Sequence, residues 1–306
     1  PPVVAGAVQQ RAPNHTGHTP GGCKNPGSSG CPDPCRVAPR SGTRLIGRPD
    51  GKDMTDGSDR KRSAASAFGA HADAYRDSTV HREGDDLDRL ATWCSDADRA
   101  VDIATGAGHT AEAILGAGVD RVVAADAAPE MVATAVASAP GVEGAVADAE
   151  RLPFTEDSVD AAACRIAARH VPDPAAFVAE VARVVDPGGT FAFQDNVAPG
   201  DGRRDEFLNT VERRRVPTHV RSHTVTDWLT WLENAGFTIE TTDVITKSLD
   251  YEEWLGNVDA SAERRRRVAA AFEDPPDGAA EAFSVTTGDD GVESFANRKL
   301  LVRATR

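Results

Sequence analysis

The 306 residues carry 48 Asp and Glu against 34 Lys and Arg, a formal charge of −14 on a chain that is 40% hydrophobic. That length and apolar content are enough to bury the core of one large domain or two small ones. No run of 18 apolar residues is present to cross a membrane and the N-terminus has no secretory pattern, so a cytoplasmic protein without a membrane span is expected. The acidic excess also makes nucleic acid, itself a polyanion, an unfavourable partner.

The charge is unevenly spread. Residues 1–53 hold seven Lys/Arg against three Asp/Glu, which leaves −18 on the remainder. Asp (31) outnumbers Glu (17) and Arg (29) outnumbers Lys (5), a surface that repels itself in dilute buffer. Salt at 1 M shortens the Debye length to about 3 Å and removes that repulsion, so adaptation to high salt, as in an acidic halophilic proteome, is expected.

Residues 1–53, centred on GGCKNPGSSGCPDPC, show no apolar periodicity, and burial cannot offset their ordering entropy. They are expected to form a disordered extension, with 54–306 as the folded domain. The first methionine is Met54, where translation is expected to begin. His15, His18, Cys23, Cys31 and Cys35 are of zinc-ligand type, but paired Cys-x-x-Cys knuckles are missing, so no metal is expected.

From Ala64 onward, AASAFGAHADAY and DDLDRLATWC have helical spacing, RAVDIAT reads as a strand, and TAEAILGAG as a helix ending on glycine. DRVVAAD is a short apolar strand, and PEMVATAVASA a helix opened by Pro129. A strand around GAVAD, the loop AERLPFTEDS, the strand VDAAACRI, the helix PAAFVAEVARVV, a PGG turn and the strand TFAFQD follow. Helices are expected near 203–215, 225–235 and 260–272, with strands at FTIETTDVI and ESFANRKLLVRA. This alternation predicts an α/β fold, a Rossmann-like doubly wound parallel sheet with helices on both faces.

Gly106-Ala107-Gly108-His109-Thr110-Ala111 fits GxGxxA, and Asp126 closes the next strand where a ribose-binding acid belongs. Such a turn suits a nicotinamide dinucleotide or S-adenosylmethionine (SAM). Asp102, four residues before the Gly-x-Gly, is ill placed beside a pyrophosphate and well placed beside an ammonium. The Asp148-Ala149 pair before LPFTEDSVD, and ARVVDPGG leading into the fifth strand, point the same way.

Taken together, VDIATGAGHT, VVAADAAPEM, ADAERLPF, CRIAARHVPDP and VARVVDPGG resemble the class I SAM-dependent methyltransferases. The likeness is to the methyltransferase type 11 group, including the ubiquinone and menaquinone C-methyltransferases, and runs from about Phe68 to Phe193. It implies a seven-stranded sheet whose last strand is antiparallel. It also implies that Asp102 orients the glycine turn and faces the methionine ammonium, while Gly106, Ala107 and Gly108 let the backbone approach the cofactor. Asp126 would accept the ribose hydroxyls, Met131 pack near the adenine, Asp148 take the adenine amino group and Ala149 offer a backbone contact. The backbone around Cys164 and Arg165 would close the methionine end. The family usually has glycine where Ala104 stands, and an alanine is compatible if its φ stays negative.

Candidates for chemistry follow the fourth and fifth strands, at the sheet edge where open α/β folds bind ligands. Arg165, Arg169 and His170 follow strand four, Asp195 and Asn196 follow strand five, and VPTHVRSHTVTDW adds His219, Arg221 and His223. Of these, His170, Arg165, Asp195 and His219 are the catalytic candidates. CRIAARH stands where methyltransferases of adenine or glutamine amide nitrogens carry Asn/Asp-Pro-Pro-Tyr, so the expected acceptor is a small, partly apolar metabolite. SAASAFGAHADAY and RRDEFLNTVERRR are expected to cover it as a lid. A SAM-binding regulator without turnover and an NAD-dependent dehydrogenase are the alternatives.

Overall fold

In the computed structural model, α1 (Met54–Gly69), α2 (Ala72–Asp77) and α3 (Asp85–Cys94) precede a run of alternating strands and helices. The structure describes residues 54–77, 82, 84–258, 260–289 and 291–306. Expectations for residues 1–53, the zinc-type residues among them, lie outside the described residues. The run comprises β1 (Arg99–Ile103), α4 (His109–Gly116), β2 (Arg121–Asp126), α5 (Pro129–Ser138), β3 (Glu143–Val146) and β4 (Val159–Arg165). A 3-10 turn (Ala168–His170), α6 (Pro174–Val184) and β5 (Val185–Asn196) complete it. The C-terminal part adds α7 (Gly202–Arg215), α8 (Val225–Asn234), β6 (Thr238–Asp250), α9 (Tyr251–Gly256), α10 (Ala262–Glu273), α11 (Ala279–Ala282), β7 (Thr286–Gly288) and β8 (Gly291–Thr305).

Seven strands lie in the order β3-β2-β1-β4-β5-β8-β6. Neighbours among β1 to β5 run parallel, and β8 runs antiparallel between β5 and β6. This is the expected Rossmann-like sheet with a reversed last strand, to which the three-residue β7 adds a hairpin partner for β8.

Both faces of the central strands are covered, which is why they read as unbroken apolar runs. On β5, Phe191 and Phe193 join Phe177 of α6 and Trp228 and Leu232 of α8 on one face. Ala192 between them joins Leu90 of α3 and Ala111 and Ile114 of α4 on the other. That second face is lined by Ala100, Ala124, Ala161, Ala163 and Ala192, whose small side chains let α3 and α4 approach the sheet closely. A separate aromatic cluster, Phe207, Tyr251, Trp254, Phe272 and Phe295, joins α7, α9 and α10 to β8.

The PGG stretch differs from the expected free turn. Strand β5 starts at Val185 and carries Pro187-Gly188-Gly189 as an irregularity, with the register to β4 shifting between Val159 and Ala161. Gly188 takes φ 85, and a Cβ on Gly189 would meet the Asp160 carbonyl at 2.7 Å, so the two glycines are what allow the strand to continue. Among the described residues no helix is long and apolar enough to cross a membrane.

Candidate active site

The loop from β1 into α4 is built on three residues in the left-handed region: Ala104 (φ 54), Gly106 (φ 55) and Gly108 (φ 94). A Cβ on Gly108 would meet the Ala135 Cβ at 2.7 Å, so this glycine lets α4 start against α5. A Cβ on Gly106 would stand in open space on the wall of a cavity. Ala104 departs from the expected negative φ: its backbone has to turn left-handed for the loop to leave the strand, which costs an L-residue roughly 1–2 kcal/mol.

Three carboxylates hold this end of the sheet. Asp102, 1% exposed, accepts the Thr105 hydroxyl at 2.5 Å beneath the loop. Burial pushes its carboxyl up to about 7, against the Thr105 hydroxyl, the Ala111 N–H and the Arg165 charge. Asp126 accepts the Gly106 N–H through Oδ2 and the Ala128 N–H through Oδ1, both at 2.9 Å. Burial raises its pKa, with those N–H groups opposing. At the end of β3, Asp148 Oδ1 accepts the Glu150 N–H at 3.0 Å, while Lys61 of α1 reaches Asp148 Oδ2 at 2.8 Å and also Glu150.

Asp126, Asp148 and Lys61 wall a cavity of about 360 Å³, closed on the side of α1 and α2 by Phe68 and Tyr75. A second cavity, of about 170 Å³, lies between the ends of β5, β6 and β8 and helices α7 and α9. Tyr75, Ile166, Arg169 and His170 line both. Phe68 meets the His170 ring edge-on at 4.9 Å. His170 Nδ1 lies 3.2 Å from the Thr218 carbonyl, which only accepts, so Nδ1 carries the hydrogen and Nε2 the lone pair. Burial, with the Arg169 and His219 charges adding to it, holds its pKa well below the usual imidazole value. Arg169 is anchored in turn by Asp195, which accepts its backbone N–H at 2.9 Å and its guanidinium at 3.1 Å.

Comparison with known proteins gives this geometry a family. Residues 101–193, from β1 through most of β5, match the methyltransferase domain. The uncharacterised methyltransferase YcgJ of Bacillus subtilis (strain 168) is 33% identical over 246 residues, 78% of this chain and 97% of that protein. The chain belongs to the methyltransferase family. The crystal structure of a Bacillus halodurans C-125 protein assigned as a methyltransferase superposes with a TM-score of 0.69 at 33% identity, covering 72% of this chain and 99% of that one. The YcgJ crystal structure gives 0.68 at 29% identity, covering 72% and 97%. This chain is a SAM-dependent methyltransferase, and its cofactor is S-adenosylmethionine.

In the methyltransferase, Gly106, Ala107, Asp126, Met131, Asp148, Ala149 and Arg165 all stand on the wall of the larger cavity. Asp102 and Gly108 lie behind it: the first braces Thr105, the second spaces α4 from α5. Among the catalytic candidates His170 faces both cavities. Arg165 faces the larger one, with its guanidinium 2.9 Å from Asp86 of α3. Asp195 and His219 face neither. Asp195 is fully buried behind Arg169. His219 donates from Nε2 to the Asn209 Oδ1 at 2.9 Å, because the Asn209 amide nitrogen is used on two carbonyls and its oxygen also accepts the Ser222 N–H. Asp195 is thus engaged with Arg169 and the His219 Nε2 with Asn209, while the buried His219 Nδ1 meets no partner among the described residues.

Lys61, His109, Tyr75, Lys247, Asn297 and Lys299 also stand on these walls, beyond the site residues expected from the sequence. His109, at the start of α4, lies 3.2 Å from the Tyr75 carbonyl and so ties α2 to the loop. A signal for the last two was present. Asn297 and Lys299 stand two apart on one face of a strand, next to the apolar run Leu300-Leu301-Val302, where a buried amide and ammonium call for a polar cavity.

Proposed function

We propose that this methyltransferase moves the methyl group of SAM from the larger cavity to a small metabolite in the second one. The observation that carries this reading is the wall the two cavities share: Tyr75, Ile166, Arg169 and His170. The larger cavity suits SAM by its donor set. Each Asp126 oxygen accepts one N–H and keeps a lone pair for a ribose hydroxyl. Asp148 takes the adenine amino group beside Ala149, and Met131 packs against the ring. Gly106 leaves room for close approach, and Asp102 holds the loop in place from below.

SAM supplies a sulfonium-bound methyl group and leaves as a neutral thioether. The chain is left with alignment and, where the accepting atom carries a hydrogen, removal of that proton. His170 is suited to the second task, since its Nε2 lone pair is not held by Thr218 and the depressed pKa keeps the ring neutral near pH 7. Arg169, positioned by Asp195, presents its charge to the acceptor across the same strip. Arg165 braces the methionine end against Asp86.

The second cavity is smaller than the roughly 300 Å³ at the lower end of common ligand pockets, which favours a small acceptor. Ile166, Val216 and Leu249 give it an apolar portion. The acidic surface supports a metabolite over a nucleic acid, and supports adaptation to salt. A higher melting temperature in about 1 M salt than in dilute buffer is expected from that, and equal stability in both would refute it.

The decisive experiment is His170→Ala with calorimetry and turnover measured together. SAM affinity should be kept while production of S-adenosylhomocysteine falls roughly 100-fold or more, the usual contribution of a general base. Unchanged turnover would remove His170 from the reaction. A chain that binds SAM and never releases S-adenosylhomocysteine with any acceptor would be a regulator instead.

A further inference from the structure

Four polar side chains of the second cavity come from three adjacent strands. Asn196 of β5 and Lys299 of β8 are register partners, as are Lys247 of β6 and Asn297 of β8. Asn297 and Lys299 are two residues apart, so all four project from one face of the sheet. That face lines the cavity. Lys299 and Asn297 are 3% exposed and Asn196 is 8% exposed.

Among the described residues the Asn196 and Asn297 side-chain oxygens accept no hydrogen bond. The other buried cations of the cavity are committed, Arg169 to Asp195 and Arg215 to Glu212. Lys299 has no carboxylate partner among the described residues. The remaining acids of the cavity, Asp250 and Glu253, are exposed and stand at the start of α9, where Asp250 accepts the Glu253 N–H. The cavity is therefore cationic at its inner end and acidic at its rim. A buried ammonium without a counter-ion is costly, and a ligand that brings the counter-charge recovers that cost.

We propose that Lys299, with Asn196 and Asn297 beside it, is a carboxylate-binding subsite, so that the methyl acceptor is a small organic acid carrying a hydrogen-bond donor. The carboxylate meets the ammonium, and the donor, a hydroxyl or N–H, meets an asparagine oxygen. This inference rests on reading the second cavity as the acceptor site. Lys299 is the buried ammonium of this cavity, with Lys247 of β6 only half-buried beside it, and a volume of about 170 Å³ suits a small organic monoanion. Burial also pushes the Lys299 ammonium down to about 7, with Lys247, Arg165 and Arg169 adding to the effect and Asp86 opposing it, a state that a bound carboxylate would reverse.

The test is calorimetry on the full chain saturated with S-adenosylhomocysteine, using benzoate, salicylate and 3-hydroxybutyrate, each against its own amide, and inorganic phosphate. At least one carboxylate should bind roughly tenfold or more tighter than its amide. Lys299→Met should abolish that preference and leave S-adenosylhomocysteine affinity within about twofold. The inference is overturned if no carboxylate binds, if amides bind as well, if phosphate binds tighter than every carboxylate, or if the preference survives Lys299→Met. The carboxylate-amide comparison is made on the unchanged chain, so it stands even where the variant does not fold. Absence of S-adenosylhomocysteine binding by the unchanged chain would instead sink the methyl-transfer reading.

Discussion

Asp126 Oδ2 accepts the Gly106 N–H at 2.9 Å, so the acid closing β2 and the glycine following β1 hold each other at the cavity wall. Asp126→Ala removes this acceptor together with the bonds proposed to the ribose hydroxyls, each worth about 1.5–3 kcal/mol for a charged acceptor. SAM affinity should fall at least roughly tenfold with turnover at saturating SAM largely kept, because the bonds are equal in ground and transition states. Calorimetry beside steady-state kinetics checks this, and normal affinity would remove Asp126 from the cofactor site.

Ala104 offers a stabilising change. At φ 54 it pays a steric penalty that glycine does not, so Ala104→Gly should raise stability by about 1 kcal/mol, partly offset by the freer unfolded chain. For a domain of this size the melting temperature should rise by roughly 2–4 °C. Ala104→Val should lower it, since a β-branched residue tolerates a left-handed backbone poorly.

Lys299 sets a pH dependence whose sign follows from its surroundings. Asp86 of α3, Arg165 of β4, Arg169 of the 3-10 turn and Lys247 of β6 all act on it, and burial holds its pKa at about 7 against an ordinary value of 10.5. Between those values the unfolded chain binds a proton that the folded chain does not, so this group's contribution to stability rises with pH from about 7 to 10.5. Lys299→Met should therefore be more stable than the unchanged chain at pH 7, with an advantage that shrinks toward pH 10. Denaturant midpoints across that range measure it; a constant difference would show that Lys299 titrates normally.

Lys61 clasps α1 to the cavity rim through Asp148 and Glu150, with its own side chain about a quarter exposed. Partly solvated pairs contribute little to global stability, on the order of 0–1 kcal/mol. Lys61→Met should barely move the melting temperature, yet speed amide exchange along α1 and SAM dissociation. Unchanged exchange over residues 54–69 would show that α1 is held by Phe68 and its apolar neighbours alone.

The strand-helix-strand frame of the larger cavity was legible because its signals are local. Asp102, Gly106, Gly108 and Asp126 fall within one strand-helix-strand unit, where apolar runs, helix periodicity and glycine spacing settle the geometry before any distant contact forms. Even there the sign of φ at Ala104 was not readable, since the left-handed turn comes from joining β1 to α4 under packing against α5. The lining of the second cavity, the proposed acceptor site, was decided by tertiary structure. Inserting β8 between β5 and β6 puts Asn196, Lys247 and Asn297 beside Lys299, residues separated by up to 103 positions along the chain. The same packing turned Asp195 toward Arg169 and His219 toward Asn209. Residue type marks what a side chain is able to do, but whether it faces a ligand or a neighbour depends on contacts the folded sheet creates.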